Sequence, residues 1–107
     1  MKIYISGPIS HDPNHEVAFT NAEEYLKYLG YEVVNPVDIP DSEFNGPDRD
    51  VQRWHYFMKE SIKLLMCCDQ IYMLEGWEES RGARLEQKIA MELAMPRMFE
   101  TEDIDRV

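Results

Sequence analysis

Four short apolar runs alternate along this chain with three segments whose apolar residues recur at helical spacing. The runs cover residues 2–6, 31–35, 69–74 and 95–99, and none is longer than a buried strand. The order βαβαβαβ with short apolar strands specifies an α/β fold, a parallel sheet of about four strands with helices on both faces. Right-handed crossovers then give the strand order 2-1-3-4, a three-layer Rossmann- or flavodoxin-like arrangement. In such sheets ligands bind beyond the carboxyl ends of the strands, at the switch point between strands 1 and 3. The loops leaving those two strands are Gly7-Pro8 and residues 76–82.

The helices are punctuated by ordinary stop and start signals. Asp12 before Pro13 fits an N-cap and a first helical proline, and Gly30 ends the helix over 13–29. Ala18, Ala22, Tyr25, Leu26 and Leu29 are its expected buried face. Residues 36–50, rich in Pro, Asp, Gly and Asn, read as one long loop, a lid or substrate wall. The second helix spans about 51–68, with Trp54, Phe57, Met58, Ile62 and Leu65 on its buried side. At 107 residues the chain is a single domain, and 100–107 form an acidic, frayed tail.

The run Gly76-Trp77-Glu78-Glu79-Ser80-Arg81-Gly82-Ala83-Arg84-Leu85-Glu86 joins the third strand to the third helix, expected over 83–94. A strand, a turn holding Gly and Ser, and a helix start make an anion-friendly cradle. The first helical N–H groups lack intrahelical partners, and the helix dipole favours negative charge there. One turn further, Glu86 shares a face with Ala83, Ala90 and Ala94. A carboxylate on a small-residue face behind a phosphate-sized cradle is well placed to work on a sugar. The plain alternative is a helix carboxylate paired with Arg84 or Lys88.

The net charge of −10 argues against a nucleic-acid backbone or an anionic membrane as partner. Cys67 and Cys68 are adjacent, cannot easily bridge each other, and read as buried thiols in a reducing cytoplasm. His11, His15 and His55 are scattered without ligand spacing, so neither a metal nor another cofactor is expected. No apolar run approaches membrane-spanning length, and the expected setting is cytoplasmic.

Ile3-Tyr4-Ile5-Ser6-Gly7-Pro8-Ile9, Val33-Val34-Asn35-Pro36, Cys68-Asp69-Gln70-Ile71 and the 76–86 run together resemble a family of short, often phage-encoded proteins. That family is related to the nucleoside 2-deoxyribosyltransferases. The spacing Ser80-x-Gly82-x-x-x-Glu86 also resembles the 2′-deoxynucleoside 5′-phosphate N-hydrolases of the same superfamily. The resemblance implies that Glu86 attacks or stabilises C1′ of a deoxyribose as the N-glycosidic bond breaks. It implies too that a serine at position 80, where the transferases have Asp, suits a 5′-phosphate rather than a free 5′-hydroxyl. Two positions depart from the N-hydrolases: Ser61 stands where they have an Asp, and Ser10 where they have an Arg.

The expected activity is that of a nucleotide N-glycosidase or deoxyribosyltransferase-like enzyme, acting on a nucleotide or nucleoside. Glu86 is the catalytic carboxylate. Ser6, Gly7, Pro8, Ser80, Gly82 and Ala83 hold the substrate, Tyr4 presents its hydroxyl at the sugar, and Trp77 stacks on base or sugar. The rival expectation is a non-catalytic nucleotide-binding or host-directed interaction module. The chain is expected to self-associate as a homodimer or a dimer of dimers, with Trp54, Tyr56 and Phe57 of the second helix at the interface.

Overall fold

Each apolar run becomes a strand and each periodic segment a helix. The computed structural model describes residues 1–8, 15–39 and 50–101. In chain order they form β1 (Lys2–Ser6), α1 (His15–Tyr28), β2 (Glu32–Val34), α2 (Asp50–Met66), β3 (Gln70–Met73), α3 (Arg81–Glu92) and β4 (Arg97–Phe99). Short 3-10 turns occupy Pro36–Asp38 and Trp77–Glu79. The helix start at Asp12-Pro13, Ser10, residues 40–49 of the long loop and residues 102–107 of the tail lie outside the described residues.

The four strands form one parallel sheet in the order β2-β1-β3-β4, as expected from right-handed crossovers. β1 is central, with Tyr4 opposite Val34 on one side and Ile71 on the other. Its start is tied down by Lys2 and Asp69, which exchange a backbone bond of 2.8 Å and a backbone-to-carboxylate bond of 3.0 Å.

Strand alternation divides the core in two. Ile3, Ile5, Tyr72 and Leu74 face α1, where Phe19, Ala22 and Leu26 meet them. Tyr4, Ile71 and Met73 face the other way, toward Leu65 of α2 and Ala83 and Ala90 of α3. Each fully buried aliphatic side chain contributes about 1.5–3 kcal/mol of transfer free energy.

The buried stripe of α1 differs from expectation. Phe19, Ala22 and Leu26 carry it, whereas Tyr25 and Leu29 are exposed. Tyr25 lies at the stripe's edge, its ring tilted against Tyr72, and Leu29 follows the last helical residue. The chain turns there through Gly30, at φ +97°, in a Schellman-type closure with Tyr31 N–H donating to the Leu26 carbonyl. On α2, Leu65 and Ser61 are buried, while Trp54, Phe57, Met58 and Ile62 are only half-buried. Cys68 is buried but Cys67 is exposed, because it follows the last turn of α2 on the solvent side.

α3 starts two residues earlier than its apolar pattern indicates and ends at Glu92. Ala94, expected on the face of Glu86, is exposed beyond the helix end with φ +55°. Met95 N–H donates to the Ala90 carbonyl and Ala94 N–H to that of Met91, so an alanine fills the left-handed position that usually takes glycine. Glu100 and Thr101 carry helical backbone directly after β4, so the expected tail opens in helical form.

Candidate active site

Tyr4 and Ser6 are two residues apart on β1, so both side chains leave the same face of the sheet. That face is covered by α3, and Glu86 is the residue of α3 lying above them. The Tyr4 hydroxyl donates to Glu86 Oε2. The Ser6 hydroxyl donates to Glu86 Oε1 at 2.7 Å. All three residues are buried, Glu86 with only 5% of its surface exposed. The plain alternative, a pairing of Glu86 with Arg84 or Lys88 on its own helix, therefore gives way to two hydroxyl partners from the central strand.

Burial pushes the Glu86 carboxyl from 4.5 up to about 7, while the bonds from Tyr4 and Ser6 pull in the opposite direction. The Tyr4 phenol is raised well above its usual range, first by burial and then by the charge of Glu86. The nearby Ser61 of α2 acts against that rise. The result is a buried carboxyl poised near neutrality and held in one orientation from both oxygens.

The cradle lies at the start of α3. Ser80 is its N-cap, with the side-chain oxygen accepting from Ala83 N–H at 3.2 Å. Gly82 packs under α2: a Cβ there would stand 2.9 Å from Met58 Sδ and 4.0 Å from Trp54 Nε1. Ala83 is buried behind it. Gly7 closes the end of β1 so tightly against Leu74 that a Cβ would lie 2.8 Å from the Leu74 Cβ. Pro8 follows beside Gly76, whose φ of +87° shapes the turn out of β3. The loops after β1 and β3 thus touch, as the switch-point argument requires. Trp77 is half-buried, its ring tilted against Phe99 of β4 at 6.0 Å between centroids.

Two residues escaped the sequence reading. Arg81, exposed at the first position of α3, lays its guanidinium 4.0 Å from the centre of the Trp54 ring. A cation at a helix N-terminus opposes the dipole, and that misplacement was the available signal. Ser61, expected only as the place of a lost carboxylate, is buried on the stripe of Leu65.

Beside this centre, on the β2 side, an open cavity of about 400 Å³ is lined by Val33, Val34, Asn35, Asp38, Tyr56 and Glu60, among others. Its floor is aliphatic and its polar rim carries two carboxylates. Among the described residues, no group of three or more His, Cys, Asp or Glu side chains is placed to hold a metal ion. Nor, among them, is any helix long and apolar enough to cross a membrane.

A comparison with solved structures finds the 2-deoxyribosyltransferase of the psychrotolerant bacterium Bacillus psychrosaccharolyticus. The TM-score is 0.69 at 20% identity, with 92% of this chain and 71% of that one covered. The likeness is one of fold. No curated protein sequence matches. Residues 1–99 match the family described as a domain of unknown function, DUF4406. The chain belongs to the DUF4406 family and carries it on a nucleoside 2-deoxyribosyltransferase-like fold.

Proposed function

We propose that this protein cleaves the N-glycosidic bond of a (deoxy)nucleoside 5′-monophosphate, with Glu86 as the carboxylate that meets C1′. The observation that carries the reading is the buried Glu86 carboxyl, gripped by Tyr4 and Ser6 at the switch point of the sheet. Cleavage builds oxocarbenium character at C1′, which a nearby carboxylate stabilises or traps covalently. As the C1′–N bond breaks, its electron pair passes to the base, which takes a proton from solvent water reaching it through the open cavity. Water or a second base then accepts the sugar.

The 5′-phosphate would sit on the Gly82 N–H and the Ser80 hydroxyl, with the Ala83 N–H joining once the phosphate displaces the Ser80 cap, and Arg81 supplies a positive charge at the same end. Phosphate binding remote from the reacting bond would hold C1′ against Glu86. The base would occupy the cavity beside β2. The fold likeness to a 2-deoxyribosyltransferase described as a biocatalyst for nucleoside synthesis supports the reading. Incubation with a panel of nucleosides and nucleotides, followed by chromatography for free base, is the test. Absence of base release from every member would overturn it.

A second reading is a nucleotide-binding module without turnover. Ser61, in place of the carboxylate of the related N-hydrolases, favours it. Calorimetric binding of a nucleotide that is never cleaved would decide for this reading. In both, the protein would act as a homodimer or a dimer of dimers, supported by the half-buried Trp54, Phe57, Met58 and Ile62 of α2. Light scattering checks this, and a 12.7 kDa particle would refute it.

A further inference from the structure

The open cavity on the β2 side is built where two elements meet. Val34, Asn35 and Asp38 line it from the end of β2 and the turn that follows. Tyr56, Glu60 and Leu64 line it from α2, spaced four apart and so on one stripe of that helix. Val34 stands opposite Tyr4 in the sheet, and both Val34 and Leu64 pack against the cluster that contains Tyr4. The cavity and the Glu86 site therefore share a wall. We infer that Asp38 and Glu60 make this cavity selective for a base bearing an exocyclic amino group over its oxo counterpart. The inference deepens the proposed activity and rests on it for the presence of a base in this cavity.

The selectivity follows from what the lining can give and take. Val34 and Leu64 offer an aliphatic surface to the flat face of a ring, which does not tell one base from another. Among the described residues, the charged side chains of the lining are Asp38 and Glu60, and a carboxylate accepts hydrogen bonds without donating any. Asp38 is exposed and is fixed by its backbone, its N–H donating to the Asn35 carbonyl at 3.1 Å. Glu60 accepts from Lys63 on Oε1 at 3.1 Å, in a solvent-exposed pair that contributes little. Asn35 is committed to the turn: its side-chain oxygen accepts from Val37 N–H at 3.0 Å, and its nitrogen donates to Glu23 at 3.2 Å. The charged rim thus holds an excess of acceptors, and a ligand settles against it by bringing donors.

Amino and oxo bases of one ring size share an outline, so shape does not sort them. Cytosine and adenine carry an amino group where uracil and hypoxanthine carry a carbonyl oxygen. The amino group brings two N–H donors for two carboxylates, in the pairing by which acidic side chains read the cytosine amine. The oxo base brings one ring N–H, and the carbonyl beside it meets a carboxylate acceptor to acceptor.

The test is titration calorimetry with four 2′-deoxynucleoside 5′-monophosphates, those of cytosine, uracil, adenine and hypoxanthine. Sugar and phosphate are constant, so each amino base should bind about tenfold more tightly than its oxo counterpart. The double variant Asp38→Asn, Glu60→Gln keeps both shapes and adds an N–H2 donor at each position. It should bring each ratio to about one, chiefly by a gain for the oxo bases. Glu92→Gln, the same loss of charge on the exposed end of α3, should leave the ratios as they are. No binding of any of the four, equal binding within the pairs, or a preference untouched by the double variant would overturn the inference. Base release without an amino preference would leave the N-glycosidase reading standing and remove the selectivity. An amino preference that depends on Asp38 and Glu60, without base release, would do the opposite.

Discussion

Ser6 and Glu86 are 80 positions apart in the chain and 2.7 Å apart in the fold. Their bond joins the last residue of β1 to the second turn of α3, across the layer boundary. Replacing Glu86 with Gln keeps the shape and removes the charge. Base release from nucleotides should fall by roughly three orders of magnitude or more, while nucleotide binding persists. Steady-state kinetics beside calorimetry on the same variant checks both halves.

The same carboxyl makes stability depend on pH. Its folded pKa of about 7 lies above the ordinary 4.5. Between those values the folded state holds a proton that the unfolded state has released. Stability therefore falls as pH rises through this window and levels off above it, with a loss of roughly 3 kcal/mol. Glu23, whose carboxyl is held low by its bond from Lys27, acts below the window and in the opposite sense. Urea unfolding at pH 5 and pH 8 should show the decline in the wild type and its absence in Glu86→Gln.

Phosphate should matter to affinity through the start of α3. A nucleoside monophosphate should bind roughly ten- to a hundredfold more tightly than its nucleoside. Arg81→Ala should narrow that gap by weakening the nucleotide alone. Titration calorimetry on the four combinations is the check, and equal affinities would move the assignment toward nucleosides.

The two close-packed glycines should respond differently to alanine. At Gly7 the added carbon meets the Leu74 Cβ, which is fixed to its backbone, at 2.8 Å. Gly7→Ala should cost about 2 kcal/mol in chemical denaturation. At Gly82 the obstacle is the flexible end of Met58, and the cost should stay below about 1 kcal/mol.

Ala94 offers the opposite case. An alanine at φ +55° closes α3 where glycine carries no steric penalty. Ala94→Gly should stabilise the protein by about 1 kcal/mol, measured as a rise in Tm or in the urea midpoint.

Local pattern was enough for the strands, their order and the position of Glu86. Lys2–Ser6 follows from one apolar run, and β2-β1-β3-β4 follows from alternation and handedness. The partners of Glu86 were not legible in the same way. Tyr4 was expected at the sugar from its place on a central strand, but nothing in the pattern marked its hydroxyl as a partner of Glu86. Periodicity says which face a residue occupies, but not which side chain of another layer it will meet. Arg81 escaped for that reason, since its ring contact depends on the docking of α2. Phe19, outside the expected stripe, is fully buried, while Tyr25 and Leu29 at its edge are exposed.

The central place of β1 also sets an order of events during synthesis. The strand made first acquires its second neighbour only when residues 70–73 arrive, and Tyr4 and Ser6 lose water only when α3 closes over them. Contacts of such long sequence separation form late. Until Glu86 leaves the ribosome, only α2 is available to cover that face of the nascent sheet, and its two hydroxyls lack their carboxylate. The docking of α3 thus assembles the site and closes this half of the core in one step.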